Sequence, residues 1–238
     1  MIRNAYDQQV QVLRDDVVTM ASMVSKAISK ANDALVTQDI GLARMVRKED
    51  KFINRSRWDG EDRALTLIAT QGPMAGDLRM IASALLIFTD LERMGDHAAG
   101  IAKIVIDTVD EPPIKPLTDI PHMSNACRGM LADAVTAFMD NDADVAREVA
   151  IRDDEIDNLY NQVYRDLLAD MMADPATINR ATQMLWVAHN LERIGDRVTN
   201  ICERIVYTVT GETESLSGGR KKRQRARDAA ASASGEVG

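Results

Sequence analysis

Aromatic residues are scarce in this chain: two Trp, four Tyr and three Phe, or 4% of 238 residues. Strands draw on aromatic and β-branched residues. The shortage, beside plentiful Ala, Leu, Met and Arg, points to helices. Cysteine is nearly missing as well. Cys127 and Cys202 have no metal-type spacing and read as reduced thiols of an intracellular protein. No apolar run approaches the ~20 residues that span a bilayer, and the polar residues 1–12 do not read as a signal peptide. The expected location is the cytoplasm. No glycine-rich phosphate loop or Ser/His/Asp grouping is readable, so nucleotide hydrolysis and hydrolase chemistry are not expected.

Charge of one sign dominates. The net charge is −8, but six of the 29 basic and four of the 37 acidic residues fall in 212–238. The remainder holds 23 basic and 33 acidic residues, a net of −10. An acidic body argues against nucleic-acid binding and leaves room for cations or basic partner surfaces.

Proline is confined to six positions: Pro73, Pro112, Pro113, Pro116, Pro121 and Pro175. Because proline costs ~3 kcal/mol in a helix interior, the long intervals between them are free to be helical. In the first interval Leu13, Val17, Met20, Val24, Ala27, Ala31 and Leu35 recur at spacings of three and four, the stripe of a bundle helix. A turn near 37–41, with Asp39 as N-cap, leads to a second helix over 40–70, ended by Gln71-Gly72-Pro73. A third is predicted over 74–109, with Leu78, Ile81, Leu85, Phe88, Leu91 and Ile101 on its apolar side. The pattern repeats: helices over 118–139, 143–173 and from Pro175 to 210, with Gly211 as C-cap. The expected fold is all-α: two tandem three-helix bundles, 1–111 and 117–211, built from six long antiparallel helices. The segment 212–238, with a basic run and then Ala, Ser and Gly, is too polar to fold alone and is expected to be a disordered tail.

Within this repeat, Leu91-Glu92-Arg93-Met94-Gly95-Asp96 recurs as Leu191-Glu192-Arg193-Ile194-Gly195-Asp196. Five of the six positions are identical. Chance at one alignment gives such a match about once in a million at ordinary residue frequencies, so duplication is the better account. In the second helices, Asp50, Ile53 and Asn54 align with Asp153, Ile156 and Asp157. The i, i+4 spacing puts Glu92 with Asp96, and Glu192 with Asp196, on one helix face. Such like-charge pairs cost ~0.2–0.5 kcal/mol, and each helical glycine costs about 1 kcal/mol against Ala. Two readings stay open from spacing alone. In one, Arg93 and Arg193 pair with the carboxylates and glycine permits close packing. In the other, the carboxylates collect a cation. His189, Glu192 and Asp196 share a face at i, i+3, i+7, and His97 follows Asp96. An oxygen set with imidazole suits iron, manganese or zinc better than calcium.

These residues carry a family likeness. With two Glu-x-x-x-Asp copies, Pro73 and Leu78-Arg79 before the first, and Asp153, Ile156, Asp157, Leu159 and Tyr160 before the second, the chain resembles the PhoU family of phosphate-uptake regulators over about 5–211. The resemblance implies side-by-side three-helix bundles in a cytoplasmic, homodimeric protein with no enzymatic activity. It implies iron or zinc on the signature carboxylates, with Glu92, Asp96, Glu192 and Asp196 as primary ligands. Asp50, Asn54, Asp153, Asp157 and His189 are expected to complete the sites. It further implies a negative regulator joining a phosphate ABC transporter, through its ATPase subunit, to a phosphate-responsive sensor histidine kinase, and meeting the membrane only through those partners. Asn54 opposite Asp157, and Gly100 opposite Asn200, predict a weaker first site. Two other classes fit less well. A di-metal carboxylate enzyme or metal store on a helical bundle generally uses Glu-x-x-His, whereas only the reversed His189-x-x-Glu192 occurs. A phosphoacceptor role for His97 or His189 has no supporting motif.

Overall fold

A computed structural model describes residues 2–109 and 118–216, with side chains from residue 6; most of the predicted tail, 217–238, lies outside the described residues. Seven α-helices and one short 3₁₀ turn account for the fold, and no strand occurs among the described residues. They are α1 (Ile2–Thr37), α2 (Ile40–Gln71), α3 (Gly76–Asp107), α4 (Asp119–Asp140), α5 (Ala143–Ile151), α6 (Asp153–Ala173) and α7 (Ile178–Thr210), with the 3₁₀ turn at Pro175–Thr177.

The expected punctuation is in place. Asp39 caps α2, its side chain accepting from the Leu42 amide. Gly72 and Gly211 end α2 and α7 at φ of 57° and 79°, a left-handed conformation open to glycine without a Cβ penalty. Asp142 caps α5 through the amides of Asp144 and Val145.

The helix predicted over 143–173 is interrupted at Arg152. There i→i+3 bonds run from the Arg152 amide to the Val149 carbonyl and from the Glu155 amide to the Arg152 carbonyl. The physical reason is the acidic run just beyond the break. Asp153, Asp154 and Glu155 form an acidic first turn, which a helix N-terminus favours and a helix interior does not. The Arg152 side chain pairs with Asp133 on α4, fixing the break. α5 and α6 therefore act as one rod with a joint.

Helices α1, α2 and α3 pack mutually as one bundle, and α4, the α5–α6 rod and α7 as the other. All seven predicted apolar positions of α1 are buried. On α3, Leu78 is instead exposed. The two halves meet through α3 on α7 and α1 on α4, and their buried apolar residues form one continuous cluster.

The α3–α7 contact is antiparallel and centred on the repeated motif. Ser83 donates to the Arg204 carbonyl, Arg197 and Asn200 reach Asp90 at 3.3 Å each, and Arg180 donates to the Thr108 carbonyl at 3.0 Å. Asn190 donates its amide to the Trp186 carbonyl, which leaves its oxygen to accept from His97 Nδ1 at 3.0 Å. Asp90 with Arg197 and Asn190 with His97 are the same pair of positions, exchanged by the hundred-residue repeat. The halves are therefore related by an approximate two-fold axis.

One close approach has no signal in the sequence. A Cβ on Gly60 would lie 2.5 Å from the Phe88 ring, and that ring is fully buried. Gly60→Ala should overpack this contact and destabilise the protein by ~1–3 kcal/mol, read as a lower denaturation midpoint. An unchanged midpoint would mean that the ring has room to move.

Candidate metal centre

The carboxylates singled out by the repeat fall on two equivalent seams, α2–α3 and α6–α7. Each seam is opened by a glycine. A Cβ on Gly95 would meet Ile53 at 3.1 Å and Asp50 Oδ1 at 3.4 Å; one on Gly195 would meet Asp153 Oδ1 at 2.7 Å and Ile156 at 2.8 Å. Gly95 and Gly195 thus let the carboxylates of the neighbouring helix come in against backbone, and the second seam is the tighter.

On the first seam, Asn54 donates to Asp50 Oδ2 at 3.0 Å. Asp50 Oδ1 and Glu92 Oε2 are buried without a hydrogen-bond partner. Arg93 lies between the signature carboxylates, 3.6 Å from Glu92 and 3.8 Å from Asp96. Burial raises the Asp50 carboxyl above its ordinary range, the Asp96 charge raises it further, and the Asn54 amide opposes both. Burial and then Asp96 likewise raise Glu92, against Arg57 and Arg93. These shifts place Asp50, Glu92 and Asp96 within one another's fields.

The second seam carries more charge. Asp153 is pushed up to about 7, first by burial and then by Asp157, Asp196, Glu192 and Asp154. Arg193 pairs with Asp196 at 3.0 Å, and His189 Nδ1 lies 3.4 Å from Glu192. His189 is flanked by rings, with Tyr160 at 6.3 Å and Trp186 at 5.7 Å between centroids.

All nine expected site residues therefore fall into two groups: Asp50, Asn54, Glu92 and Asp96; and Asp153, Asp157, His189, Glu192 and Asp196. Among the described residues, no three His, Cys, Asp or Glu side chains are already gathered closely enough to hold a metal ion. The arginines and the Asn54 amide occupy the carboxylates instead. The donor chemistry still fits a hard or borderline cation, and Asp50 Oδ1, beside the Gly95 gap, is buried with no hydrogen-bond partner. Gly100 and Asn200 lie elsewhere: Gly100 sits against Asn190, and Asn200 against Asp90, on the α3–α7 contact. Their difference belongs to the joint between the halves and not to the carboxylate seams. Arg57 and the rings around His189 join the site without having been expected there. A signal was available, since Arg57 and Tyr160 each stand one turn beyond the aligned Asn54 and Asp157.

Cys127 and Cys202 are free thiols. Both are buried, burial raises both thiols, Cys202 to about 12, and Cys127 Sγ donates to the Leu191 carbonyl.

A duplicated helical-bundle protein with one glycine-opened carboxylate seam per half is the class that the fold and site define. The PhoU domain matches residues 17–105 and 120–205, one copy in each half. A "Phosphate-specific transport system accessory protein PhoU homolog" of Clostridium acetobutylicum is 37% identical over 218 residues, 91% of this chain and 100% of that one. One of Aquifex aeolicus is 40% identical over 205 residues, 86% and 93% of the two chains. The crystal structure of PhoU from Pseudomonas aeruginosa matches with a TM-score of 0.83 at 33% identity, covering 87% of this chain and 100% of the other. That of the phosphate transport system regulatory protein PhoU from Streptococcus pneumoniae gives 0.82 at 33% identity, covering 88% and 99%. The chain belongs to the PhoU family. No helix of the described residues is long and apolar enough to cross a membrane.

The Asp153 carboxyl carries a pH signature. Its folded pKa, about 7, lies above the ordinary unfolded value, so the folded state holds the extra proton between about pH 4 and 7. The stability this proton contributes is complete below about pH 4 and is lost as pH rises through about 7. Metal-free protein should accordingly lose stability across this window, and Asp153→Asn should flatten the decline and be the more stable at about pH 8. Parallel pH profiles for the two proteins would refute the assignment.

Proposed function

We propose that this protein is a negative regulator of phosphate uptake and phosphate-starvation signalling. It acts as a cytoplasmic, metal-binding adaptor between a phosphate ABC transporter, through its ATPase subunit, and a phosphate-responsive sensor histidine kinase. It works as a homodimer and catalyses no reaction of its own. The observation that carries the reading is the carboxylate seam repeated in both PhoU-matched halves. Relatives are named as phosphate-specific transport accessory proteins, and a regulator of that transport is what such a protein would be.

Glu92, Asp96, Asp50 and Asn54 would hold the first metal, and Glu192, Asp196, Asp153, Asp157 and His189 the second. Iron or zinc suits these donors, and manganese is a further fit. A bound metal would supply positive charge that offsets the clustered carboxylates and so fixes the surface that partners meet.

Mass spectrometry of protein purified without chelators or affinity-column metal tests the metal. Iron, zinc or manganese should be present, and absent from a folded variant with Glu92, Asp96, Glu192 and Asp196 changed to Ala. Metal missing from both proteins would leave the carboxylates structural. Deleting the gene should derepress phosphate-uptake genes in phosphate-rich medium, and unchanged transcript levels would sink the regulatory reading.

A further inference from the structure

The α6–α7 seam continues past its carboxylates as an apolar face. Along one flank of α6, Asp153 and Asp157 lead at helical spacing to Tyr160, Tyr164, Leu168 and then Met172. On α7, His189 gives way toward the helix start to Trp186 and Ile178. Tyr160 and Trp186 flank His189, and Trp186 is exposed together with Tyr164, Leu168, Met172 and Ile178, Met172 by 78% and Trp186 by 55%. A lone exposed apolar residue is ordinary, whereas a contiguous run of them marks a contact surface.

The duplication gives an independent reading of the same face. Leu168, Ile178 and Trp186 correspond to Leu65, Leu78 and Leu86 in the first half, and those three are exposed too. The halves differ nearer the carboxylates. Arg57 and Glu61, an ion pair at 3.4 Å, stand where the second half has Tyr160 and Tyr164. Charge interrupts the first seam; in the second the same flank is uncharged from Tyr160 outward, with Thr182 between Ile178 and Trp186 on α7.

We propose that the α6–α7 seam is a docking groove for one basic amphipathic helix of a partner protein. Its apolar stripe lies on Tyr164, Leu168, Ile178 and Trp186. While the seam holds no metal, a Lys or Arg cluster at one end lies over Asp153, Asp157, Glu192 and Asp196. The groove between two packed helices takes a third helix in the helix-in-groove mode. From Tyr160 to Met172 it runs ~18 Å, about three turns. The acidic end and the net −10 of the body select a basic occupant and disfavour a second copy of this chain. The groove deepens the adaptor reading, on which the existence of a partner rests, but its binding chemistry needs neither metal nor phosphate.

The test uses the full chain, stripped of metal, with Trp58→Phe, so that Trp186 is the only tryptophan. It is titrated with a synthetic helix of about 18 residues, long enough to span the groove, carrying Leu at i, i+3, i+4 and i+7 and Lys elsewhere. A saturable blue shift of Trp186 emission is expected, weakened by salt and unaffected by Leu65→Ser. Tyr164→Ser with Leu168→Ser, both at exposed positions, should weaken binding at least tenfold. The proposal is overturned by any of four results: no shift, equal binding of a scrambled peptide of the same composition, equal binding of a peptide with Glu for Lys, or binding unchanged in the double variant. Sedimentation gives a further outcome: a double variant that dissociates a dimer yet binds peptide normally makes the seam a self-interface and overturns the proposal. Normal peptide binding by a protein whose gene deletion leaves phosphate-responsive transcripts unchanged would sink the adaptor reading and leave the groove standing.

Discussion

The close approach of α2 to α3 at Gly95, and of α6 to α7 at Gly195, is the constraint on which the rest of the molecule turns. A helical glycine gives up about 1 kcal/mol relative to Ala. What it gains here is geometry. With no Cβ in the way, Ile53 and Ile156 pack onto bare backbone, and Asp50 and Asp153 are carried into half-buried positions beside the signature helix. Any larger residue at 195 would have to displace the Asp153 carboxylate itself, because the added carbon would lie only 2.7 Å from its oxygen.

Carboxylates held this way repel one another and lose hydration, and burial is the leading cause of the upward shift at Asp50, Glu92 and Asp153 alike. The fold offsets part of that cost locally, with Arg93 between Glu92 and Asp96 and Arg193 against Asp196. The Arg93–Asp96 and Arg193–Asp196 pairs are substantially exposed, and exposed ion pairs contribute little. A protein selected only for stability would gain by replacing the cluster with apolar side chains. The arrangement makes physical sense if something positive is to be received there.

Much of this is legible in the sequence, because proline, glycine and the repeated hexapeptide act locally. Pro73, Pro175, Gly72 and Gly211 mark helix ends by what their own backbones can do. The duplicated hexapeptide fixes which carboxylates are equivalent. What escapes depends on neighbours distant in the chain. The joint at Arg152 rests partly on Asp133 of α4. Gly60 matters only because Phe88 of α3 lies over it. Gly100 and Asn200 align like site residues, yet three-dimensional register puts them on the α3–α7 contact. The stripe Tyr160, Tyr164 and Leu168 has the same helical period as the buried set Ile156, Val163 and Leu167, one step around the helix. Periodicity reveals both stripes and does not say which one the core takes.

The two halves have drifted apart in ways that share a direction. At the α3–α7 contact one exchanged pair is ionic, Asp90 with Arg197, while its counterpart joins the neutral amide of Asn190 to His97. At the seams, the first half has three carboxylates and the Asn54 amide, which already satisfies one oxygen of Asp50. The second has four carboxylates with His189 alongside. Each added carboxylate raises the repulsion that an incoming cation relieves, so under the metal-binding reading the second seam gains more from being filled. The apolar face shows the same asymmetry. It is broken by the ion pair of Arg57 and Glu61 in the first half and free of charge from Tyr160 outward in the second. The more acidic cluster and the proposed docking face thus lie end to end on the same pair of helices. A cation held at Glu192 and Asp196 would lie beside the aromatic cluster of Tyr160, His189 and Trp186, where the apolar face begins.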